Sequence, residues 1–223
     1  VMRMILILVL CALFTSQPAY TAPVVQMSSQ NEPAIVHGAL DVLEDPSGQM
    51  KIDDIAKSEM FQPAESGVPN YGFTESVYWF RFSLRNMTAD DSAIIEIGYP
   101  VLDYVSLFHR SSEGSFLELE SGDLLPFKQR AKNHRTITFS MKLAPGETSQ
   151  YFLRIETSSS LQVPVRVYTE LAFAEMTRSE NTFFGAFYGI FLVMILFNLM
   201  LWFSLKDSTY LILVCYLASY LAM

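Results

Sequence analysis

Two segments of the sequence combine an aromatic residue and an arginine in a period-two pattern. Trp79 and Arg81 alternate with apolar residues in one segment, and Phe152 and Arg154 alternate with apolar residues in the other. Alternate side chains of an extended strand lie on one face. An aromatic ring beside a planar guanidinium can hold a sugar ring or a carboxylate. The pattern therefore predicts a face that binds a small molecule.

Further polar and aromatic residues lie near the ends of the predicted strands and are expected to join this face or border it. The predicted ligand-binding set is Trp79, Arg81, Tyr99, Tyr104, Arg130 and Arg154. The alternative interpretation is structural, with Trp79 packed against a covering loop and Arg81 paired with a carboxylate such as Asp103. An open groove at Trp79 would favour a ligand, whereas a face covered by the protein's own loops would favour docking of a partner protein.

The sequence offers little catalytic chemistry. Its three histidines are isolated from one another and lack metal-ligand spacing: His37, His109 and His134. Neither a nucleophile elbow nor a phosphate-binding glycine loop occurs. We predict no catalytic residue, no resident metal and no cofactor. A membrane-anchored carbohydrate-active enzyme remains an alternative. Glycoside hydrolysis needs two carboxylates at a set separation, and a sandwich can bring together two of Glu96, Asp103 and Glu156.

Charge and cysteine content limit the partners and the source of stability. Residues 23–182 hold 13 Lys and Arg against 22 Asp and Glu, a formal net charge of −9. This acidic excess disfavours nucleic acid and anionic membrane surfaces as partners. Calcium is a further candidate ligand, because the turns are rich in oxygen atoms. Cys11 and Cys215 lie outside this segment, so its stability must come from a hydrophobic core.

Period-two patterning recurs through the same segment. Apolar alternation or short apolar runs predict strands at about 35–43, 77–85, 94–98, 101–109, 137–143, 151–155 and 161–167, and only residues 51–60 have a helical pattern. Seven or eight short strands with polar turns indicate a mainly β fold. The predicted fold is a jelly-roll-like antiparallel β-sandwich followed by transmembrane α-helices, the last of them truncated.

Apolar stretches at both ends predict export and membrane insertion. Arg3 and the short apolar run after it are typical of a signal peptide, assigned to residues 1–22. Residues 183–205 carry no charge and are long enough to cross a bilayer. Residues 209–223 look like the start of a second span, so we expect the chain to be the front of a longer membrane protein. The sandwich domain is assigned to residues 23–178.

Several segments of the sequence resemble those of a known protein family. Residues 76–86 (SVYWFRFSLRN), 98–105 (GYPVLDYV) and 151–161 (YFLRIETSSSL) resemble the extracellular type 2 sensor domain of bacterial seven-transmembrane receptors with diverse intracellular signalling modules. Residues 184–189 (FGAFYG) and 206–211 (KDSTYL) are similar to the start of the membrane unit of that family. The resemblance covers about residues 33–223.

The resemblance implies a receptor. It predicts a periplasmic jelly roll, similar to carbohydrate-binding modules, attached to seven helices in the bacterial inner membrane. A histidine kinase or a diguanylate cyclase usually follows those helices in the family, and neither is contained in this sequence. The expected partners are a small ligand of the carbohydrate class, the lipid bilayer, and a second receptor subunit in a homodimer or heterodimer. Docking of a partner protein without a small ligand is the remaining alternative.

Overall fold

Strands form where apolar and polar side chains alternate, because one face of each strand then packs on a core. The computed structural model describes residues 23–65, 67–111, 113–126, 130 and 132–221. Within those residues the strands are β1 (Val24–Met27), β2 (Ala34–Ile35), β3 (Asp41–Asp45), β4 (Gln62–Pro63), β5 (Asn70–Phe73), β6 (Val77–Asn86), β7 (Ser92–Ile97), β8 (Tyr104–Arg110), β9 (Phe116–Ser121), β10 (Ile137–Lys142), β11 (Thr148–Glu156), β12 (Ser160–Gln162) and β13 (Val165–Tyr168).

The described strands form a large sheet, a small sheet and a two-stranded ribbon. The large sheet runs in the order β4-β3-β6-β11-β8-β9, with β1 added to β6, and the small sheet runs β10-β7-β13-β2. Strands β5 and β12 form the ribbon. The pairings with a defined register are antiparallel apart from the β1–β6 pair, which is parallel. The predicted antiparallel sandwich is confirmed.

The main core contains residues from both larger sheets. On β6 the residues predicted to face inward are fully or nearly fully buried there: Tyr78, Phe80, Phe82 and Leu84. The small sheet contributes alternate residues of β7, β10 and β13 to the same cluster, among them Ile95, Phe139 and Val165. Burial of a Leu, Ile, Val or Phe side chain contributes about 1.5–3 kcal/mol. This cluster is therefore the main source of stability of the domain.

A second hydrophobic cluster covers part of the opposite face of the large sheet, called the outer face below. Its buried members are Leu43, Ile55, Phe61, Val77, Trp79, Phe108 and Phe152. A short helix, α1 (Ile52–Ile55), supplies Ile55, and the residues around it that pack on the cluster include Met50 and Ala56. The large sheet thus has apolar layers on both faces.

Two of the predicted strands are interrupted. The expected strand at 161–167 is divided into β12 and β13, because the Val163 amide donates to Pro69 while the Gly98 amide donates to the Pro164 carbonyl. Pro164 itself has no amide hydrogen to continue a ladder. The expected strand at 35–43 is divided by a 3₁₀ turn over His37–Ala39. The helical pattern predicted at 51–60 forms only the single turn of α1.

The apolar C-terminal part forms two helices, α2 (Glu170–Leu205) and α3 (Ser208–Leu221). The Thr169 hydroxyl oxygen accepts a hydrogen bond from the Ala172 amide at 3.1 Å and caps α2. This N-cap starts the helix well before the predicted span, so residues 170–178, expected in the sandwich domain, are helical. Among the described residues, α2 is the one helix with the length and apolar composition needed to cross a membrane. The predicted signal peptide, residues 1–22, lies outside the described residues.

Candidate ligand-binding site

Trp79 lies inside the second cluster. Its side chain is 1% exposed, and its indole lies 5.5 Å from the ring of Phe108 between ring centroids. The expectation of an open stacking face at Trp79 is corrected by this burial, which comes from residues 50–61 folding over the outer face. The structural alternative, packing against a covering segment, describes Trp79.

Arg81 is held by an ion pair on the same face. Its Nε and Nη2 atoms donate to Oδ2 of Asp41 at 3.2 and 2.8 Å, and its guanidinium lies 4.3 Å from the centroid of the Phe61 ring. Asp41 is fully buried and lies directly opposite Arg81 in the β3–β6 register. The partner suggested from the sequence, Asp103, is wrong, because the Asp103 carboxylate accepts hydrogen bonds from Ser158 instead. The Arg81 guanidinium therefore holds a buried charge in place.

Tyr99 and Arg130 support neighbouring segments. Tyr99 is half-buried and packs against the main core. The Arg130 guanidinium donates to backbone carbonyls, to Gly122 at 3.3 Å, to His134 at 3.3 Å and to Arg135 at 3.2 Å. It therefore ties the chain that leaves β9 to the chain that enters β10.

Tyr104 and Arg154 lie together on the uncovered part of the outer face. They are on the paired strands β8 and β11, where Tyr104 is opposite Glu156 and Arg154 is opposite Ser106. The Arg154 Nη2 atom donates to Oε2 of Glu156 at 2.9 Å. Tyr104 is 44% exposed. Of the six predicted residues, these two share an accessible surface.

Tyr104 borders a cleft at the end of the large sheet, called the Tyr104 cleft. The cleft has a volume of about 250 Å³, and the polar residues that line it are Thr74, Glu75, Asp103, Glu156, Thr157 and Ser158. A smaller cavity of about 110 Å³ lies beside Tyr104 and is lined by Ser106, Glu120 and Leu125 among others. The exposed Tyr104 side chain therefore lines both cavities.

Hydrogen bonds fix the two loops that form the Tyr104 cleft. Oδ2 of Asp103 accepts from the amide and the hydroxyl of Ser158, each at 2.7 Å. The Ser159 hydroxyl donates to the carbonyl of Val101 at 2.9 Å. The loop before β8 and the loop after β11 are therefore joined at two points, and the orientation of the Asp103 carboxylate is fixed.

Gly122 permits a close backbone approach behind the Tyr104 cleft. Its φ is +148°, and a Cβ at this position would lie 2.1 Å from the Asp103 carbonyl oxygen. The following amide, Asp123, donates to Leu102 at 2.8 Å. Only glycine fits such a contact, so the chain leaving β9 packs directly behind Asp103 and Tyr104.

Models of known protein families match both the β domain and the helical part of the chain. A family model described as 7TMR-DISM extracellular 2 matches residues 37–169, and one described as 7TM diverse intracellular signalling matches residues 180–223. The first match alone spans more than half of the chain. The chain belongs to the 7TMR-DISM family. It therefore contains the extracellular domain of a sensor receptor and a segment of its membrane unit.

One solved structure with a similar chain course is that of TmCBM61 in complex with β-1,4-galactotriose. The alignment has 9% sequence identity and a TM-score of 0.32, and it covers 60% of this chain and 90% of the other. A TM-score of 0.32 is too low to support an argument about this receptor. No curated protein matches the chain.

Of the three carboxylates considered for a glycosidase pair, only Glu96 is separated from the other two in the 7TMR-DISM domain. Glu96 lies on the small sheet, where its Oε1 accepts from the Thr136 hydroxyl at 2.9 Å. Asp103 and Glu156, by contrast, both line the Tyr104 cleft. Their hydrogen-bonded oxygens accept from Ser158 and Arg154 respectively. Among the described residues, no three His, Cys, Asp or Glu side chains converge as ligands for a metal ion.

The lining of the Tyr104 cleft limits the ligands it can hold. It combines carboxylates, hydroxyls and one aromatic ring, and none of the described lining residues is Lys, Arg or His. Carboxylates and hydroxyls bind the hydroxyl groups of a neutral ligand, and a ring face packs on its C–H surface. Glu75 and Ser158 were not predicted. The serine-rich string 157–160 that follows β11 is the sequence signal that marks this loop.

Proposed function

We propose that this 7TMR-DISM chain is the input module of a bacterial receptor and that the Tyr104 cleft binds a small neutral polyhydroxy ligand of the carbohydrate class. One observation carries the proposal: an exposed tyrosine beside a cleft whose described lining has carboxylates and hydroxyls but no basic residue. Tyr104, Asp103 and Glu156 contact the ligand in this proposal. Arg154 orients Glu156 through their 2.9 Å ion pair.

Signalling requires that the ligand bind one conformation more tightly than another. In the proposed arrangement the domain lies in the periplasm, and the membrane helices of the inner membrane carry the change to a cytoplasmic histidine kinase or diguanylate cyclase. Insertion of α2 in a bilayer is supported by its 36-residue length and apolar composition. A second receptor subunit is the further partner that we propose.

The test is a binding screen of the full chain in a polyoxyethylene detergent, which carries no sugar group. Neutral oligosaccharides are titrated by calorimetry, with calcium chloride as a separate arm. We expect one oligosaccharide class to bind. Tyr104→Ala should weaken it about fivefold, the effect of losing roughly 1 kcal/mol of aromatic contact, while Tyr104→Phe retains most of the affinity.

The matched control is Leu117→Ala, which removes an exposed apolar side chain of β9 outside the cleft, and it should leave the affinity unchanged. Equal affinities of wild type and Tyr104→Ala for the bound sugar would refute the site. If calcium binds and no oligosaccharide does, the carbohydrate class is refuted and the ligand is a cation.

Docking of a partner protein is the second proposal, and the coverage of Trp79 by residues 50–61 favours it. In that case no oligosaccharide in the screen binds, and the full chain forms a defined oligomer instead. Cross-linking and sedimentation of the same detergent sample measure this outcome. A monomer without any bound sugar would exclude both proposals.

A further inference from the structure

A different cleft opens at the edge of the large sheet, where β3 pairs with the short strand β4. It has a volume of about 370 Å³ and is called the Tyr71 cleft. Its lining residues used below are Val42, Glu44, Met60, Gln62, Tyr71 and Tyr78. None of them lines the Tyr104 cleft, so the two clefts can bind different ligands.

An aromatic wall forms one side of the Tyr71 cleft. The rings of Tyr71 and Tyr78 are stacked, with centroids 4.7 Å apart and an interplanar angle of 29°. Tyr78 is nearly buried, whereas Tyr71 is half-buried, and both residues line the cleft. The face of an aromatic ring carries negative electrostatic potential and attracts a cation.

The tyrosine hydroxyls remain neutral in this environment. Burial, and then the charge of Glu65, raise the pKa of Tyr71 to about 12. Burial, and then the charge of Glu44, raise the pKa of Tyr78 as well. The Tyr71 hydroxyl is buried and has no hydrogen-bond partner among the described residues. It is shielded from solvent, so a ligand in the cleft contacts other atoms.

Formal charge in the Tyr71 cleft is negative. Glu44 lines it with an exposed carboxylate, and Glu65 lies close enough to act on Tyr71. None of the described lining residues is Lys, Arg or His. Met60 and Val42 add apolar surface to the lining. An anion is disfavoured here, and a cation with an apolar part is favoured.

We propose that the Tyr71 cleft binds a small organic cation. The ammonium head lies against the Tyr71 ring and the Glu44 carboxylate, and the apolar part contacts Met60 and Val42. The Gln62 side chain supplies any further hydrogen bond. This inference goes beyond the proposed carbohydrate site, because the cleft, the residues and the ligand charge are all different.

The probe is choline, compared with its neutral isostere 3,3-dimethyl-1-butanol, titrated into the full chain in a polyoxyethylene detergent. We expect saturable choline binding below about 10 mM, at least about tenfold tighter than binding of the neutral isostere. Glu44→Gln keeps the shape of the side chain but removes its charge, and it should weaken choline binding about tenfold. Tyr71→Leu should do the same, while Tyr71→Phe retains binding.

The matched control is Glu118→Gln, which removes an exposed carboxylate of β9 outside the cleft and should leave choline binding unchanged. Each variant is accepted only if its tryptophan fluorescence, measured in a Trp202→Phe background that leaves Trp79 as the reporter, matches that of the same background without the variant. The inference is overturned if choline does not saturate, if the neutral isostere binds equally well, or if Glu44→Gln has no effect. Tyr104→Ala should not alter choline binding, which separates this test from the carbohydrate proposal.

Discussion

Breaking the Arg81–Asp41 pair should destabilise the domain far more than breaking a surface pair. Asp41 is fully buried, and the Arg81 side chain is 19% exposed. Arg81→Met leaves the Asp41 charge without its partner, which we expect to cost about 3 kcal/mol. Loss of the guanidinium over the Phe61 ring adds about 0.5–1 kcal/mol. The sum is about 4 kcal/mol.

Removing the acid should cost less than removing the arginine. Asp41→Asn leaves Arg81 unpaired, but part of its guanidinium reaches water, so we expect about 2 kcal/mol. The double variant retains neither charge. Its destabilisation should fall short of the sum of the single variants by at least about 2 kcal/mol, because that difference is the coupling between the two residues.

The assay is urea unfolding of the full chain in detergent, followed by tryptophan fluorescence. The protein has two tryptophans, and a Trp202→Phe background leaves Trp79, which lies in the second cluster beside Arg81, as the reporter. Arg154→Met is the matched control, because its partner Glu156 has a side chain that is 51% exposed. That variant should lose less than about 1 kcal/mol. Additive single variants, or an Arg81→Met domain as stable as Arg154→Met, would refute the structural role of Arg81.

Two further predictions concern turns near the functional surfaces. Gly122→Ala forces the chain behind Asp103 to move, so it should lower stability by about 3 kcal/mol and weaken sugar binding, whereas Gly114→Ala meets no atom within 4 Å and should cost only about 1 kcal/mol in the same urea assay. Burial tends to raise the pKa of Asp45, but hydrogen bonds from Ser47, Met50 and Gly48 outweigh it and lower the pKa below 3.8. The stability that Asp45 contributes is therefore complete above its unfolded pKa and is lost as the pH falls through the lower folded value. The stability difference between wild type and Asp45→Ala, measured from pH 7 to pH 2, should shrink only below about pH 4, and a constant difference would contradict this sign.

Local alternation predicted one face of β6 and missed the environment of the other. The inward set from Tyr78 to Leu84 is confirmed, because a period of two needs no long-range information. The cover over Trp79 comes from residues 50–61, and nothing local to β6 specifies that this segment returns across the sheet. The four consecutive buried residues Val77–Phe80 are the remaining signal, since a strand buried on both faces is apolar without alternation.

The candidate site was predicted in part for a related reason. Tyr104 and Arg154 are outward residues of adjacent strands, so local pattern and correct strand pairing place both on one surface. Asp41 was not predicted as the partner of Arg81, because it depends on the register between β3 and β6. The Ser158–Asp103 contact joins residues 55 positions apart and likewise depends on tertiary structure.

The presence of an apolar layer on each face of β6 restricts how this strand can vary. A strand packed on one face tolerates exchange at every second position, whereas Val77, Tyr78, Trp79 and Phe80 are all excluded from solvent. A saturation library over residues 77–82 should therefore retain few functional variants at neighbouring positions as well as at alternate ones. We expect such a strand to accumulate substitutions more slowly than the exposed loops of the domain, because a change on either face disturbs a packed layer.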